Sequence, residues 1–327
     1  MTLKKLAELT GYSVSTVSKA FSYAEDVSEQ TRNDIFEEAK RQGVFHKYHH
    51  EKYEKKIIAI ILPELKSYFY SAYAEELQRI IEADNGIVVL STDGFDSKKR
   101  SELIDYYDQY MNVSGMLVVG FPKRDANALH TPVVSLLHTK SENCDCVCVG
   151  NEWPIHQAVC HLHELGHERI AYVGEPLTVE RKDIFLRAML SEGLTVSNAT
   201  CYTSPYRFER AGADGVRWAL AQEPRPTALF CAYDYIAFGA VHELNDKGLC
   251  VPQDMSVIGV DNVATSEYMG TPLTTLDSHT AEVSRIAYDL LKRKMRGELY
   301  RLHQTIEISG ELIIRQSTGR PKKDGEC

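Results

Sequence analysis

The stretch TLKKLAELTGYSVSTVSKAF, residues 2–21, decides the fold of the N-terminal region. In its first half, Leu6 and Ala7 belong to an apolar stripe at helical spacing, which predicts a buried helix face. Thr2 can cap the start of this helix, and Gly11 lies where the helix would end. These residues therefore predict a short helix followed by a tight turn.

A second helix is predicted after that turn. Ser13 can cap it, because a serine oxygen accepts the orphan N–H groups of a first helical turn. Its inward stripe consists of Val17, Ala20 and Phe21. Its outward face is short, polar and basic, and consists of Val14, Ser15, Ser18 and Lys19.

A third helix is predicted to begin at Ser28 and to end at Gly43. Three short helices, of which the first two are joined by a glycine turn, are typical of a helix-turn-helix domain. We place this domain at residues 1–45. Residues 46–56 are charged and lack apolar periodicity, so they are interpreted as a linker or hinge.

The rest of the chain alternates apolar, β-branched runs with stretches of helical length. The runs are residues 57–62, 87–90, 116–119, 133–137, 170–173, 228–232 and 257–260. Continuous apolar runs between helices indicate parallel sheets that are buried on both faces. Residues 57–318 therefore predict an α/β body of two doubly wound parallel-sheet lobes.

The net charge is unevenly distributed along the 327 residues, whose total is −9. Residues 1–56 carry ten Lys or Arg and nine Asp or Glu, a net +1, which leaves −10 for residues 57–327. A slightly basic head on an acidic body fits a DNA-binding module whose body is repelled by phosphates. The polar start of the chain and the short apolar run at 57–63 predict no signal peptide and no membrane span, so a cytoplasmic protein is expected.

Several side chains closely follow predicted strands, where ligands bind in doubly wound folds. They are Phe69, Tyr70, Arg181, Tyr233, Asp234 and Asp261. Charged groups can hydrogen-bond hydroxyls, and aromatic rings can cover the C–H face of a sugar, so this set predicts a pocket for a polyol. Asp234 has an equally good alternative role as a cap of the following helix.

Metal and disulfide sites are not predicted. Cys144, Cys146 and Cys148 alternate along a strand, so their thiols would line one face rather than converge on an ion, and buried thiols are expected. The segment from His163 to His167 matches the zinc-protease pattern H-E-x-x-H, but a glycine precedes the second histidine and should end the helix.

Enzyme signatures are also missing from the sequence. It contains no phosphate loop, no nucleophile elbow and no dinucleotide-binding turn. We therefore expect no catalytic residue, no metal and no cofactor. A plain solute-binding protein shares the two-lobed body and remains the alternative class, which only the head and the missing signal peptide distinguish.

The head stretch and five later segments together carry a family resemblance. The later segments are residues 27–32, 161–172, 232–240, 255–261 and 272–275. They make the chain resemble the LacI/GalR family of transcription regulators from residue 2 to about residue 318. The resemblance implies a type I periplasmic-binding-protein-like body, in which we place the N-lobe at about 57–155 and 280–307 and the C-lobe at about 156–277 and 308–318.

The resemblance also implies functions for individual residues. In the family the second helix enters the major groove, and the matching base-reading positions here are Val14, Ser15 and Lys19. The matching phosphate contacts are Thr2, Ser13, Thr16 and Ser18. The matching effector contacts are Phe69, Tyr70, Arg181, Tyr233 and Asp261.

At the level of the whole protein, the resemblance implies a homodimeric repressor on a palindromic operator in double-stranded DNA. Its affinity for DNA would respond to a small effector, a carbohydrate or a derivative of one. Some positions depart from the family: Tyr233 replaces an asparagine, Ile184 replaces a glycine, and Gly150-Asn151 lacks the usual aspartate. These departures predict an effector other than a common hexose.

The two ends of the body depart from the pattern as well. By count, Tyr53 occupies the position of the family leucine that wedges into the minor groove. Either an aromatic wedge replaces leucine or hinge insertion is lost, and we favour the loss. Residues 319–327 form a basic tail that resembles the core of an AT-hook, but a disordered tail is the preferred interpretation.

Overall fold

The computed structural model describes residues 2–24, 26–48, 55–111, 113–137, 143–197, 200–298 and 302–322. The chain divides into two compact units. One comprises residues 1–56 with 85–87, and the other comprises residues 57–84 with 88–327. The predicted hinge residue Tyr53 and the end of the tail lie outside the described residues.

The first unit, here called the head, consists of short capped helices. They are α1 (Leu3–Thr10), α2 (Val14–Phe21), α3 (Glu29–Arg41) and α4 (Phe45–Tyr48). Thr2 accepts the Lys5 N–H, and Ser13 accepts the Thr16 N–H at 3.0 Å. Gly11 ends α1 with φ +74°, a conformation that glycine adopts without strain. The predicted helices α1 to α3 and their caps are therefore confirmed.

The head has its own apolar core, made of the fully buried side chains Leu6, Val17, Ala20, Ile35 and Ala39. Helix α4 extends this core into the segment that the sequence assigned to the linker 46–56. The rings of Phe45 and Tyr48 lie 6.2 and 5.7 Å from the ring of Phe21. The linker assignment is therefore wrong for residues 46–48, where a single helical turn is too short to show periodicity.

The first lobe of the body, the N-lobe, is a sheet covered by helices. Its strands are β1 (Ile57–Leu62), β2 (Ile87–Thr92), β3 (Gly115–Val119), β4 (Val133–Leu136), β5 (Cys146–Gly150) and β11 (Thr305–Ser309). Their order is β11-β5-β4-β3-β1-β2, and β11, β5, β4, β3 and β1 pair in parallel. The helices are α5 (Tyr68–Ala83), α6 (Ser97–Gln109) and α11 (Thr280–Met295).

The second lobe, the C-lobe, repeats this architecture. Its strands are β6 (Ile170–Gly174), β7 (Cys201–Thr203), β8 (Ala228–Cys231), β9 (Ser256–Val260), β10 (Thr274–Asp277) and β12 (Glu311–Ile313). Their order is β12-β10-β9-β8-β6-β7, with only the β10–β12 pairing antiparallel among the described strands. The helices are α7 (Glu152–Glu164), α8 (Val179–Ser191), α9 (Phe208–Leu220) and α10 (Asp234–Asp246).

The fold class of two doubly wound lobes is thus confirmed, and each predicted apolar run is a strand. The chain passes between the lobes after β5 near residue 151, after β10 at residues 278–279, and through Gly310 between β11 and β12. Gly310 donates its N–H to the carbonyl of Gly150 at 3.3 Å, so two of these passages lie side by side. None of the helices in the described ranges is long and apolar enough to cross a membrane.

The start of the predicted tail packs against the C-lobe. The Gly319 N–H donates to Ser256 Oγ at 3.0 Å, and the Lys322 ammonium pairs with Asp254 at 2.5 Å. The prediction of a disordered tail is therefore wrong for residues 319–322. The contacts that order this segment are tertiary, so a local run of charge could not reveal them.

His167 ties the tail to the core of the C-lobe and gives a pH-dependent prediction. Its Nε2 lies 2.8 Å from the Gly319 carbonyl and its Nδ1 2.8 Å from Thr227 Oγ1, which fits a neutral ring whose Nε2–H donates to the carbonyl. Burial lowers the pKa of His167 below that of an ordinary histidine. The unfolded chain therefore takes up its proton at higher pH than the folded chain does, and stability falls as the pH drops below about 6.5.

We expect His167→Gln to lower the free energy of unfolding at pH 7.5 by ~1–3 kcal/mol, because buried hydrogen-bonding groups lose a partner. Since the variant lacks this titrating group, the difference from the unchanged protein should shrink at pH 5.5. Urea unfolding at both pH values measures both effects. His242→Gln is the control, because the His242 side chain is 77% exposed; an equal loss in that variant would contradict the assignment.

Candidate functional site

The outward face of α2 is the first candidate site. Val14 is 45% exposed, and Ser15, Ser18 and Lys19 are also exposed. The inward residues of the same helix are buried in the head core. The exposed face of α2 therefore presents the valine methyl groups, two serine hydroxyls and the lysine ammonium. Groups of these types can contact base edges in a major groove.

Lys19 is engaged within the head. Its ammonium forms an ion pair with Asp26, in which both side chains are about half exposed. The hydrogen bond from Lys19 lowers the pKa of the Asp26 carboxyl. Any nucleic acid that uses the Lys19 ammonium must therefore compete with this carboxylate.

The proposed phosphate-contacting hydroxyls lie at or near helix starts. Thr2 and Ser13 are the caps of α1 and α2, and Ser13 Oγ lies 2.8 Å from Thr16 Oγ1. Helix N-termini attract anions, because their N–H groups and their dipole both point toward the ligand. Ser18 instead lies in the second half of α2, on its exposed face.

The second candidate site is a cavity of about 430 Å³ between the sheets of the N-lobe and the C-lobe. The sequence-predicted residues Phe69, Tyr70, Arg181, Tyr233 and Asp261 all line it. They come from both lobes, since the aromatic pair belongs to α5 of the N-lobe and the others belong to the C-lobe. The residues that were chosen because they follow strand ends therefore line the same cavity.

Arg181 and Asp261 form the charged centre of this cavity. Arg181 Nη2 donates to Asp261 Oδ1 at 3.0 Å, and Nη1 donates to the Ala232 carbonyl at 2.6 Å. Burial raises the pKa of Asp261, and the neighbouring Arg181 guanidinium opposes that shift. Asp261 has φ +100°, a strained conformation for a residue other than glycine, and such strain is common at binding sites.

The aromatic wall is ordered by ring contacts. The rings of Phe69 and Tyr70 pack edge to face with centroids 5.2 Å apart, and the Arg181 guanidinium lies 6.0 Å from the Phe69 centroid. Burial raises the pKa of Tyr70 to about 12, so its hydroxyl stays protonated at neutral pH and can donate a hydrogen bond.

Sequence reasoning missed an ion-pair cluster at the same cavity. Arg207 donates through both terminal nitrogens to Glu64 at 3.0 and 2.8 Å, and through Nε to Glu175 at 3.1 Å. The Tyr233 hydroxyl lies 3.3 Å from the same Glu175 oxygen. Since Glu64 belongs to the N-lobe and Arg207 to the C-lobe, this cluster links the lobes. We call the Glu64–Arg207 pair the interlobe pair.

Asp234 has neither of the two roles that its position allowed, because it does not line the cavity and Tyr233, not Asp234, occupies the cap position of α10. Its Oδ1 accepts the Thr275 hydroxyl at 2.6 Å, and its Oδ2 accepts the Val263 N–H at 2.9 Å. It is 1% exposed and is not among the residues lining the cavity. Asp234 therefore fixes loops at the end of the C-lobe sheet and does not face a ligand.

The H-E-x-x-H pattern is not assembled as a metal site. His163 Nδ1 lies 3.4 Å from Glu192 Oε2, whereas His167 contacts Thr227 and Gly319. The two imidazoles therefore have different partners, because the chain turns at Gly166, where φ is +99°.

Comparison with known proteins finds a matching family model and relatives of nearly the whole chain. The family model of the periplasmic binding protein-like domain matches residues 159–318. The chain is 28% identical to the HTH-type transcriptional repressor CytR of Escherichia coli (strain K12), with 97% of this chain and 96% of the relative covered. It is 28% identical to the HTH-type transcriptional repressor PurR of Actinobacillus pleuropneumoniae serotype 3 (strain JL03), with 97% and 98% covered.

A solved structure of similar fold is the lac repressor dimer bound to operator and the anti-inducer ONPF. It matches with a TM-score of 0.74 at 21% identity, and the alignment covers 98% of this chain and 99% of that chain. At this level of identity the match establishes a shared fold, which extends over both the head and the body.

Proposed function

We propose that this chain, which is similar over nearly its whole length to HTH-type transcriptional repressors, is a cytoplasmic, homodimeric repressor of the LacI/GalR family whose cleft binds an uncharged, carbohydrate-like effector. Effector occupancy of the cleft would alter how two heads sit on a palindromic operator. The coupling between the two sites cannot exceed the preference of the effector for one conformation, typically ~1–3 kcal/mol.

An uncharged effector is supported by one observation: the charged side chains at the cavity already form ion pairs with one another. Arg181 pairs with Asp261, Arg207 pairs with Glu64 and Glu175, and Glu180 adds a further carboxylate to the lining. A phosphate group would have to displace one of these carboxylates. Hydroxyl groups can instead share the existing ion pairs as hydrogen-bond partners, while the Phe69 and Tyr70 rings cover a C–H face.

A thermal-shift screen of the full chain against matched pairs of neutral sugars, nucleosides and their phosphate esters tests this proposal. Ligands that bind the folded state raise the melting temperature by mass action. We expect a neutral member to raise it and its phosphate ester to have a smaller effect. A response to phosphate esters alone would overturn the assignment of an uncharged effector.

For the head, we propose that Val14, Ser15 and Lys19 read bases and that Thr2, Ser13, Thr16 and Ser18 contact phosphates. We propose no role for Tyr53 beyond the hinge position that the family pattern implies. The support is the exposed, mixed chemistry of the α2 face together with the capping positions of Thr2 and Ser13.

Lys19→Ala is expected to weaken binding to the operator by ~1–3 kcal/mol, the value of one good base contact, and to weaken binding to unrelated DNA less. Fluorescence anisotropy on a selected operator and on a scrambled duplex measures both affinities. Asp26→Asn is the matched variant, since it releases the Lys19 ammonium and should raise DNA affinity. Equal losses on both duplexes in Lys19→Ala would show that Lys19 contacts only phosphates.

A further inference from the structure

Helices α7 and α8 bring together, on the surface of the C-lobe, three side chains whose chemical types can ligate a metal ion and which do not line the cavity. The set is His156 and Cys160 of α7 and Glu192, the residue at which α8 ends. One donor atom from each lies within 4.8 Å of the donor atoms of the other two. His156 Nε2 is 3.3 Å from Glu192 Oε1.

The arrangement follows from helical spacing on α7. Residues four apart lie on one face of a helix, so His156 and Cys160 point the same way, and His163, three residues further, joins them. His163 Nδ1 lies 3.4 Å from the second carboxylate oxygen of Glu192. The Glu192 carboxylate is therefore held between two imidazoles beside a thiol.

We propose that His156, Cys160 and Glu192 form a binding site for a transition-metal ion of the zinc class. Imidazole, thiolate and carboxylate are the donors that zinc takes in proteins, and three protein ligands leave a fourth position for water. The donor atoms lie within 4.8 Å of one another, about 1 Å farther apart than the ligand atoms around a tetrahedral zinc ion. Rotation of the side chains would be enough to bring all three donor atoms within binding distance of one ion. His163 would orient the carboxylate through its second oxygen, as partners of metal ligands commonly do.

The site is accessible to an ion from solvent and is partly preorganised. The His156 side chain is 34% exposed and that of Glu192 is 21% exposed. The Trp153 ring stacks on His156 at 5.9 Å with an interplanar angle of 6°, which restricts the orientation of the imidazole. On binding, the Cys160 thiol would release its proton to solvent and bind as the thiolate.

The consequence would be a link between α7 and α8 within the C-lobe. Apart from the ligand contacts, the exposed Arg187–Glu152 pair connects the same two helices at 2.8 Å. A bound ion would add a tie that stabilises the folded C-lobe, because the donors come from two helices that separate on unfolding. This proposal is independent of the identity of the effector.

Cobalt(II) titration of the full, tag-free chain after removal of metals by chelation tests the site, since cobalt(II) replaces zinc and absorbs light. We expect one equivalent to produce a thiolate-to-cobalt band in the near ultraviolet together with visible bands of a tetrahedral ion, and we expect zinc to abolish both. Zinc should also raise the melting temperature. Cys160→Ser and Glu192→Gln should each remove the near-ultraviolet band or weaken binding at least tenfold.

Cys250→Ser is the matched control, because Cys250 is an exposed thiol outside the set, and this variant should bind as the unchanged protein does. Alkylation gives a second measurement that does not depend on variant folding: one equivalent of zinc should protect Cys160 and leave Cys250 reactive. The proposal is overturned if the unchanged chain binds no equivalent of cobalt. It is also overturned if Cys160→Ser gives the same spectrum, because the thiolate band would then come from another cysteine of the chain.

Discussion

Asp261→Asn is expected to weaken effector binding about 10- to 100-fold, since a hydrogen bond to a charged group contributes ~1.5–3 kcal/mol. The substitution keeps the size of the side chain and tolerates the positive φ of +100°, so it removes little besides the charge. It also leaves the partly buried Arg181 guanidinium without its carboxylate. Breaking a fully buried pair destabilises proteins by ~3–5 kcal/mol, so a smaller loss of stability and a lower melting temperature are expected for this partly exposed pair.

The effect on binding and the effect on stability can be separated. Calorimetric titration gives the effector affinity of the folded protein, and urea unfolding gives its stability. Asp234→Asn is the matched control, because Asp234 is a buried carboxylate that does not line the cavity. It should lose stability and retain effector affinity. Unchanged affinity in Asp261→Asn would remove Asp261 from the proposed site.

Loss of the interlobe pair is expected to give the second large effect. Glu64→Ala removes the carboxylate that accepts two hydrogen bonds from Arg207, while Glu175 continues to hold the same guanidinium within the C-lobe. Burial by itself would lower the pKa of Arg207, but the hydrogen bonds to Glu64 and Glu175 raise that pKa above the ordinary arginine value. The closed arrangement of the lobes should therefore lose stability while each lobe stays folded.

We expect Glu64→Ala to weaken effector binding about 5- to 150-fold, the range of a coupling free energy of ~1–3 kcal/mol. The effector affinity of the unchanged protein should fall with rising salt, because the pair is partly exposed and salt screens it. Calorimetry at two salt concentrations and small-angle scattering of the free protein measure these changes. Glu152→Ala is the control, since the Glu152–Arg187 pair lies within the C-lobe and is mostly exposed. Equal losses in both variants would contradict a role for the interlobe pair.

Sequence patterns predicted the helices and strands whose formation depends on residues close together in the chain. Helices α1 and α2 could be placed because caps and apolar spacing agree within eight residues. Most strands were predicted because a sheet covered on both faces requires continuous apolar runs. The cavity residues Arg181 and Asp261 could be predicted because the topology of a doubly wound sheet fixes where ligands lie.

The missed features depend on contacts between distant residues or on weak local patterns. Strand β7 is the edge strand Cys-Tyr-Thr, whose half-exposed residues show no apolar run, so Arg207, which follows it, escaped notice. Asp234 could not be assigned because the groups it binds, Val263 and Thr275, lie 29 and 41 residues further along the chain. The start of the tail is ordered by Ser256 and Asp254, which a terminal sequence cannot reveal.

The single glycine between β11 and β12 restricts the ways in which the body can respond to a ligand. Adjacent Cα atoms are about 3.8 Å apart, so the ends of these strands cannot move away from each other. The Gly310–Gly150 hydrogen bond holds a second crossing at the same place. Opening of the cleft must therefore be a rotation of one lobe about an axis near Gly310, and the lobes cannot move apart in parallel. A small angle of rotation then produces a larger displacement at points of the lobes far from that axis.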